Sequence, residues 1–251
     1  MVLVILTALG VGGATLFGSL LGFGLHKIPH SWNDGVLGFA AGIMTAAAVV
    51  GLILPSTELA GKSGFWMTAL GILAGAVFLN AMDRLTPHLH HLSGVDAEEH
   101  KNNAGLNKVM LFVMAIAIHN LPEGLAAGVS FGSGDVSGAF TVAAGIMLQN
   151  IPEGAVTISP LLLAGVSRRR ALVIGLLTGL VEVVGTFIGY FAASLSGSIL
   201  PFSLAFAGGT MLYVISDEMI PETHSHGYQR LATYAFLIGF TVMIGMDLWL
   251  G

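Results

Sequence analysis

His119-Asn120-Leu121-Pro122-Glu123-Gly124 is echoed further along the chain by Gln149-Asn150-Ile151-Pro152-Glu153-Gly154. Each hexapeptide sits in the middle of an oily stretch, and from Val109 on neither stretch contains a lysine or arginine. A carboxylate at the centre of a bilayer costs a few kcal/mol or more, and such residues usually mark an ion or proton path. The duplicated motif therefore points to a cation site inside a membrane protein.

The composition supports that setting. Of 251 residues, 55% are hydrophobic and 9% charged, with a mean hydropathy of +0.86. Soluble domains carry about 25% charged residues. Apolar stretches recur along the whole length, so residues 1–251 read as a single membrane domain whose solvent is the lipid bilayer, with no nucleic-acid partner expected. The absence of cysteine excludes thiolate metal sites and disulfides. The chain is apolar from Val2 with no basic leader, which reads as a first span and not as a cleaved signal.

A span needs roughly 20 apolar residues. Eight such stretches are read at 2–24, 35–55, 64–83, 108–131, 138–163, 170–193, 200–220 and 231–250. The Gly-Ser-Gly-Asp cluster at 132–135 is a turn signal that separates the fourth from the fifth. Loop charge orients them. With the N-terminus outside, Lys27, Arg84, Lys101, Lys108, Arg168, Arg169, Arg170 and Arg230 all fall inside, and only Lys62 falls outside. The positive-inside rule thus predicts a multi-pass protein of the cell membrane with both termini extracytoplasmic.

The expected fold is all-α: eight transmembrane helices in an inverted-repeat bundle. The two hexapeptides lie on adjacent, antiparallel spans, and Leu54-Pro55-Ser56-Thr57-Glu58 has a fainter echo in Ile220-Pro221-Glu222-Thr223-His224. Inverted repeats with a polar site at the midplane are a hallmark of secondary transporters. Glycines spaced by four (Gly18/Gly22, Gly38/Gly42, Gly71/Gly75, Gly124/Gly128, Gly175/Gly179, Gly185/Gly189) predict close helix packing. The longest loop, 84–107, holds His88, His90, His91 and His100 beside Asp96, Glu98 and Glu99. His26, His30, His224 and His226 are likewise read as inside-loop residues.

Residues four apart share a helix face. His119 and Glu123 therefore point one way with Asn120 beside them, and Gln149, Asn150 and Glu153 repeat the arrangement. Pro122 and Pro152 each free a carbonyl and predict a kink near the polar groups. Two carboxylates, an imidazole and three amides then converge, a donor set suited to zinc, iron or manganese. Glu182, mid-way along the sixth span, and Met44, mid-way along the second, are candidate additions. Asp217 and Glu218 either line an exit or cap a helix. On the residues alone two other readings stay open: an intramembrane metal-dependent hydrolase, and a proton-coupled carrier of another solute. The first lacks a His-Glu-x-x-His motif.

At these motifs the chain resembles the ZIP (Zrt-, Irt-like protein) family of divalent metal transporters over essentially its full length. Val214-Ile215-Ser216-Asp217-Glu218-Met219-Ile220-Pro221-Glu222-Thr223-His224 is similar to the seventh span of the GufA-like prokaryotic branch. The resemblance implies an eight-helix bundle, often a homodimer, that moves divalent metal toward the cytoplasm through a binuclear site. One metal would be held by His119, Glu123, Gln149 and Glu153, with Met44 added. The second would be held by Asn120, Glu123, Asn150, Glu153 and Glu182. Zn2+ is the expected transported substrate. Gln149 departs from the histidine of many members, which extends the expectation to Cd2+, Fe2+ and Mn2+.

Overall fold

The computed structural model describes residues 1–24, 29–85, 104–163, 165–195 and 197–250. His26, Lys27, Lys101 and the loop histidines His88, His90, His91 and His100 lie outside the described residues. Within hydrocarbon every backbone polar group must be satisfied inside its own segment, and all regular structure among the described residues is helical. The elements are α1 (Val2–Gly22), α2 (His30–Ala48), α3 (Leu54–Leu85), α4 (Ala104–Gly132), α5 (Val136–Leu163), α6 (Arg168–Ser194), α7 (Leu200–Val214), α8 (Ile220–Thr223) and α9 (Gln229–Leu250). Five helical stretches among the described residues are long and apolar enough to cross a membrane: Val2–Gly22, His30–Met82, Arg168–Ser194, Leu200–Thr223 and Gln229–Leu250.

The boundaries differ from the sequence expectation in three ways. The second and third predicted spans join: a π-helical turn, Val49–Ile53, links α2 to α3, so the helical segments merge into seven continuous runs among the described residues. Within that run the chain leaves helical geometry at Gly61 (φ 63°, ψ −177°), a left-handed conformation that glycine adopts without steric cost. His30, read as a loop residue, opens α2 behind Pro29, a residue suited to helix starts because it has no N–H to satisfy. α4 and α5 stay helical through Pro122 and Pro152.

Side-chain size is distributed inside out relative to a soluble protein. α6 buries Ala171, Gly175, Thr178, Gly179, Glu182, Gly185, Thr186 and Gly189, while Leu176, Leu180, Val184 and Ile188 point outward. Lipid removes the hydrophobic drive between helices, so small residues line the contacts and large apolar ones face outward. α1 and α6 approach one another through a reciprocal pair of glycines. A methyl group on Gly179 would lie 2.6 Å from the carbonyl oxygen of Gly12, and one on Gly12 would strike the carbonyl of Gly179. α1, α4, α5 and α6 form a central group, in which α1 packs on α5 and α6 while α6 packs on α4. Two pairs flank it: α2 with α9, set against α5, and α3 with α7, whose α7 lies against α4. Met44, Ile43, Leu52, Leu204, Met211 and Ile146 belong to the apolar core between these groups.

Candidate metal centre

α4 and α5 cross with their duplicated motifs facing one another. Ligand atoms of His119, Glu123 and Glu153 all lie within 4.8 Å of each other. His119 Nε2 is 3.0 Å from Glu153 Oε1, and its Nδ1 is 3.5 Å from Glu218 Oε2, which arrives from the π-helical turn Ile215–Met219 after α7. Gln149 Nε2 donates to Glu123 Oε1 at 2.6 Å. Zinc–ligand bonds run to about 2.0–2.2 Å, so an ion seated among the three residues would draw their ligand atoms closer together.

A second polar group adjoins the first. Glu182 is fully buried on α6. Its Oε1 accepts from Thr15 Oγ1 of α1 at 2.5 Å and from Asn120 Nδ2 of α4, and its Oε2 accepts from Asn150 Nδ2 of α5 at 2.9 Å. A cavity of about 10 Å³ joins the groups, lined by Thr15, Asn120, Glu123, Asn150, Glu153 and Thr157. That is about one water-sized sphere.

The donor set is rich in acceptors and poor in donors. Gln149 Oε1, Asn150 Oδ1, Glu153 Oε2 and His119 Nε2 are buried without a hydrogen-bond partner. The last of these faces Glu153 closely but off the line a hydrogen bond requires. Leaving a buried polar atom unpaired costs about 1–3 kcal/mol, more when it is charged. No lysine or arginine forms an ion pair with Glu123, Glu153 or Glu182 among the described residues. Lone pairs converging on a small buried space without a counter-cation make a receptor for a cation.

The structure thus brings together His119, Glu123, Gln149 and Glu153, and beside them Asn120, Asn150 and Glu182. Met44 is fully buried in the apolar core. Thr15 is a site residue that the sequence reading missed, because a single threonine in an oily helix carries no signal of its own. Glu218, which the sequence reads as lining an exit or capping a helix, stands 3.5 Å from His119 Nδ1.

A family model described as ZIP Zinc transporter matches residues 93–247. The chain is 40% identical to the zinc transporter GufA of Myxococcus xanthus, with 98% of each chain covered. It is 37% identical to the zinc transporter ZIPB of Bordetella bronchiseptica, over 95% of this chain and 78% of that one. It is 33% identical to the human zinc transporter ZIP11, over 95% of this chain and 94% of that one. A buried carboxylate–imidazole–amide cluster on paired helices, and relatedness over nearly the full length, make this chain a GufA-like member of the ZIP zinc transporter family.

Proposed function

We propose that the chain carries divalent transition-metal cations, zinc foremost, across a cell membrane into the cytoplasm through the cluster between α4 and α5. The observation that carries this reading is the grouping of His119, Glu123 and Glu153 beside the buried, unpartnered acceptors Gln149 Oε1, Asn150 Oδ1 and Glu153 Oε2, with no lysine or arginine paired to those carboxylates among the described residues. Amide and carboxylate oxygens bind zinc less tightly than a set of thiolates would, which suits an ion that must leave again. Relatives named as zinc transporters supply the choice of cargo.

The site is binuclear in this reading. His119, Glu123, Gln149 and Glu153 hold one ion, with the Met44 thioether of α2 as an added ligand. Asn120, Asn150 and Glu182 hold the other, with Glu123 and Glu153 shared. The incoming ion sheds water as the two glutamates bind it, and Glu218 receives it on the cytoplasmic side. Because carboxylates and imidazole must be deprotonated to ligate, uptake falls as pH is lowered. Gln149 opens the site to Cd2+, Fe2+ and Mn2+ as well.

The bundle is an inverted repeat of eight spans with both ends outside, and functions as a homodimer. The run His30–Met82 has 53 residues. At 1.5 Å per residue it would reach about 80 Å, against a hydrocarbon core of roughly 30 Å, so the break at Gly61 divides it into two spans. Helix packing supports the repeat. Exchanging α1 with α6, α2 with α7, α3 with α9 and α4 with α5 maps the main packing pairs onto one another: α1/α5 onto α6/α4, and α2/α9 onto α7/α3. The reciprocal contact of Gly12 with Gly179 lies where such an axis would pass.

The test is saturable uptake of radiolabelled zinc by proteoliposomes of the purified protein beside a Glu123→Ala control. Uptake that the substitution abolishes is expected. Folded, metal-binding protein that takes up no more zinc than empty liposomes would overturn the reading.

A further inference from the structure

α2, α5 and α9 enclose a cavity of about 590 Å³ whose walls include none of the candidate metal ligands. Trp32, Val36 and Phe39 line it from α2, Ile151 and Pro152 from α5, and Leu231 from α9. Ser31 carries the one hydroxyl on its wall. The cavity arises from uneven packing. α2 and α9 are locked together: a methyl on Gly38 would lie 2.6 Å from the carbonyl oxygen of Ala232, and one on Gly42 would strike that of Phe236. α5 meets this pair through its N-terminal half. A methyl on Gly145 would lie 2.5 Å from Met243 Sδ and 3.6 Å from Ile43 Cγ2, and one on Gly51 would strike the side chain of Val142. Toward Pro152 the helices part and the gap opens.

The dimensions select the occupant. From Ser31 to Phe39 the groove follows eight residues of α2, about 12 Å at 1.5 Å per residue. That is close to one leaflet, half of a hydrocarbon core of roughly 30 Å, whereas a partner helix would need a face of roughly 20 residues across both leaflets. Apolar walls of this kind leave water without partners. The volume falls within the range of about 300–1,000 Å³ typical of ligand pockets. The mouth is marked as an interface. Trp32, in the first turn of α2, is 69% exposed, and tryptophan concentrates at the level of lipid headgroups. Arg230, next to Leu231 at the start of α9, is exposed and forms no salt bridge among the described residues. A guanidinium there complements a lipid phosphate, and anionic lipid enriches the cytoplasmic leaflet.

We propose that this groove is a binding site for one acyl chain of an anionic phospholipid of the cytoplasmic leaflet, with its phosphate at Arg230. The choice of leaflet rests on the proposed orientation, but nothing in it rests on metal transport, because the test reads lipid retention. The full-length protein in detergent is titrated with phosphatidylglycerol, or with phosphatidylcholine, and bound lipid is counted by native mass spectrometry. One phosphatidylglycerol per chain is expected, held more tightly than phosphatidylcholine. A Cβ on Gly35 meets only side-chain carbons of Leu231, at 3.7 Å, so Gly35→Leu fills the groove without striking backbone. It should weaken retention by at least about tenfold, the worth of roughly two buried CH2 groups. Leu231→Trp fills the same space from α9 and decides if Gly35→Leu does not fold. Arg230→Gln should weaken phosphatidylglycerol by about fivefold, the contribution of one cationic side chain at an anionic surface, and leave phosphatidylcholine unchanged. The proposal is overturned if no lipid is retained at one per chain. It is also overturned if retained lipid is indifferent to both groove-filling changes in folded protein, for the lipid then sits elsewhere. Equal retention of the two lipids whatever residue stands at 230 overturns it as well. So does a second copy of the chain, released by Gly35→Leu in place of lipid, which would make the groove a protein contact.

Discussion

At the residue scale, Glu182 is held by three donors from three helices, and Thr15 is the one whose removal changes least else. Thr15→Val keeps the shape and deletes a hydrogen bond to a charged acceptor, an interaction worth about 1.5–3 kcal/mol. We expect Thr15→Val to fold and to lose zinc affinity by about tenfold or more, with Thr15→Ser near the parent; isothermal titration of the purified proteins decides it. Gln149 offers the opposite experiment. Its amide donates to Glu123 and leaves Oε1 unpartnered, so the carboxylate is partly occupied by a neutral neighbour. Gln149→His replaces a weak oxygen ligand with an imidazole. Tighter zinc binding with slower turnover is expected, because release is then the harder step. A lower KM with a lower maximal uptake rate in proteoliposomes is the outcome that supports this; unchanged values for both would refute it.

At the element scale, the helices approach one another as closely as their glycines allow. A methyl on Gly128 of α4 would meet the carbonyl of Thr186 and sit 2.7 Å from the nitrogen of Tyr190 on α6, whereas one on Gly13 of α1 would meet nothing within 4 Å. Gly128→Ala should therefore cost about 1–3 kcal/mol or more through forced separation of backbones. Gly13→Ala should stabilise slightly, by up to about 1 kcal/mol, because alanine is the better helix former. Thermal unfolding of the solubilised variants measures both. This spacing was legible in the sequence, as were the oily helices and the paired polar motifs, since each writes a periodic or duplicated pattern. Three features were not. α2 starts at His30 because Pro29 permits it, although Ser31, Asn33 and Asp34 read as loop. The joining of α2 to α3 through a π-helical turn depends on packing, which leaves no local mark. Thr15 enters the site only because α1 crosses α6 at Gly12 and Gly179, a tertiary accident that no residue of α1 announces.

At the scale of the whole molecule, the candidate ligands are unevenly distributed. His119, Asn120, Glu123, Gln149, Asn150, Glu153, Glu182 and Thr15 all belong to the central group of α1, α4, α5 and α6, while Met44 and Glu218 come from the flanking pairs. An ion held mainly by one group is exposed or shielded by displacement of the other, so coupling between them should set the transport rate. The interface can be tested directly because the chain has no cysteine. A Cβ on Gly51, in the turn after α2, would stand 3.7 Å from the Cβ of Val142 on α5. That is the spacing a disulfide prefers, about 3.8 Å. The Val142 methyl that would obstruct a side chain at Gly51 disappears in the same pair of changes. Gly51→Cys with Val142→Cys should cross-link under mild oxidation, and zinc uptake should stop and return on reduction, while each single cysteine responds to neither treatment. Zinc binding should survive the cross-link, because no ligand is touched. Full uptake in verified cross-linked protein would mean that the central group and the α2/α9 pair move as one body, and would shift the moving boundary to α4 and α7.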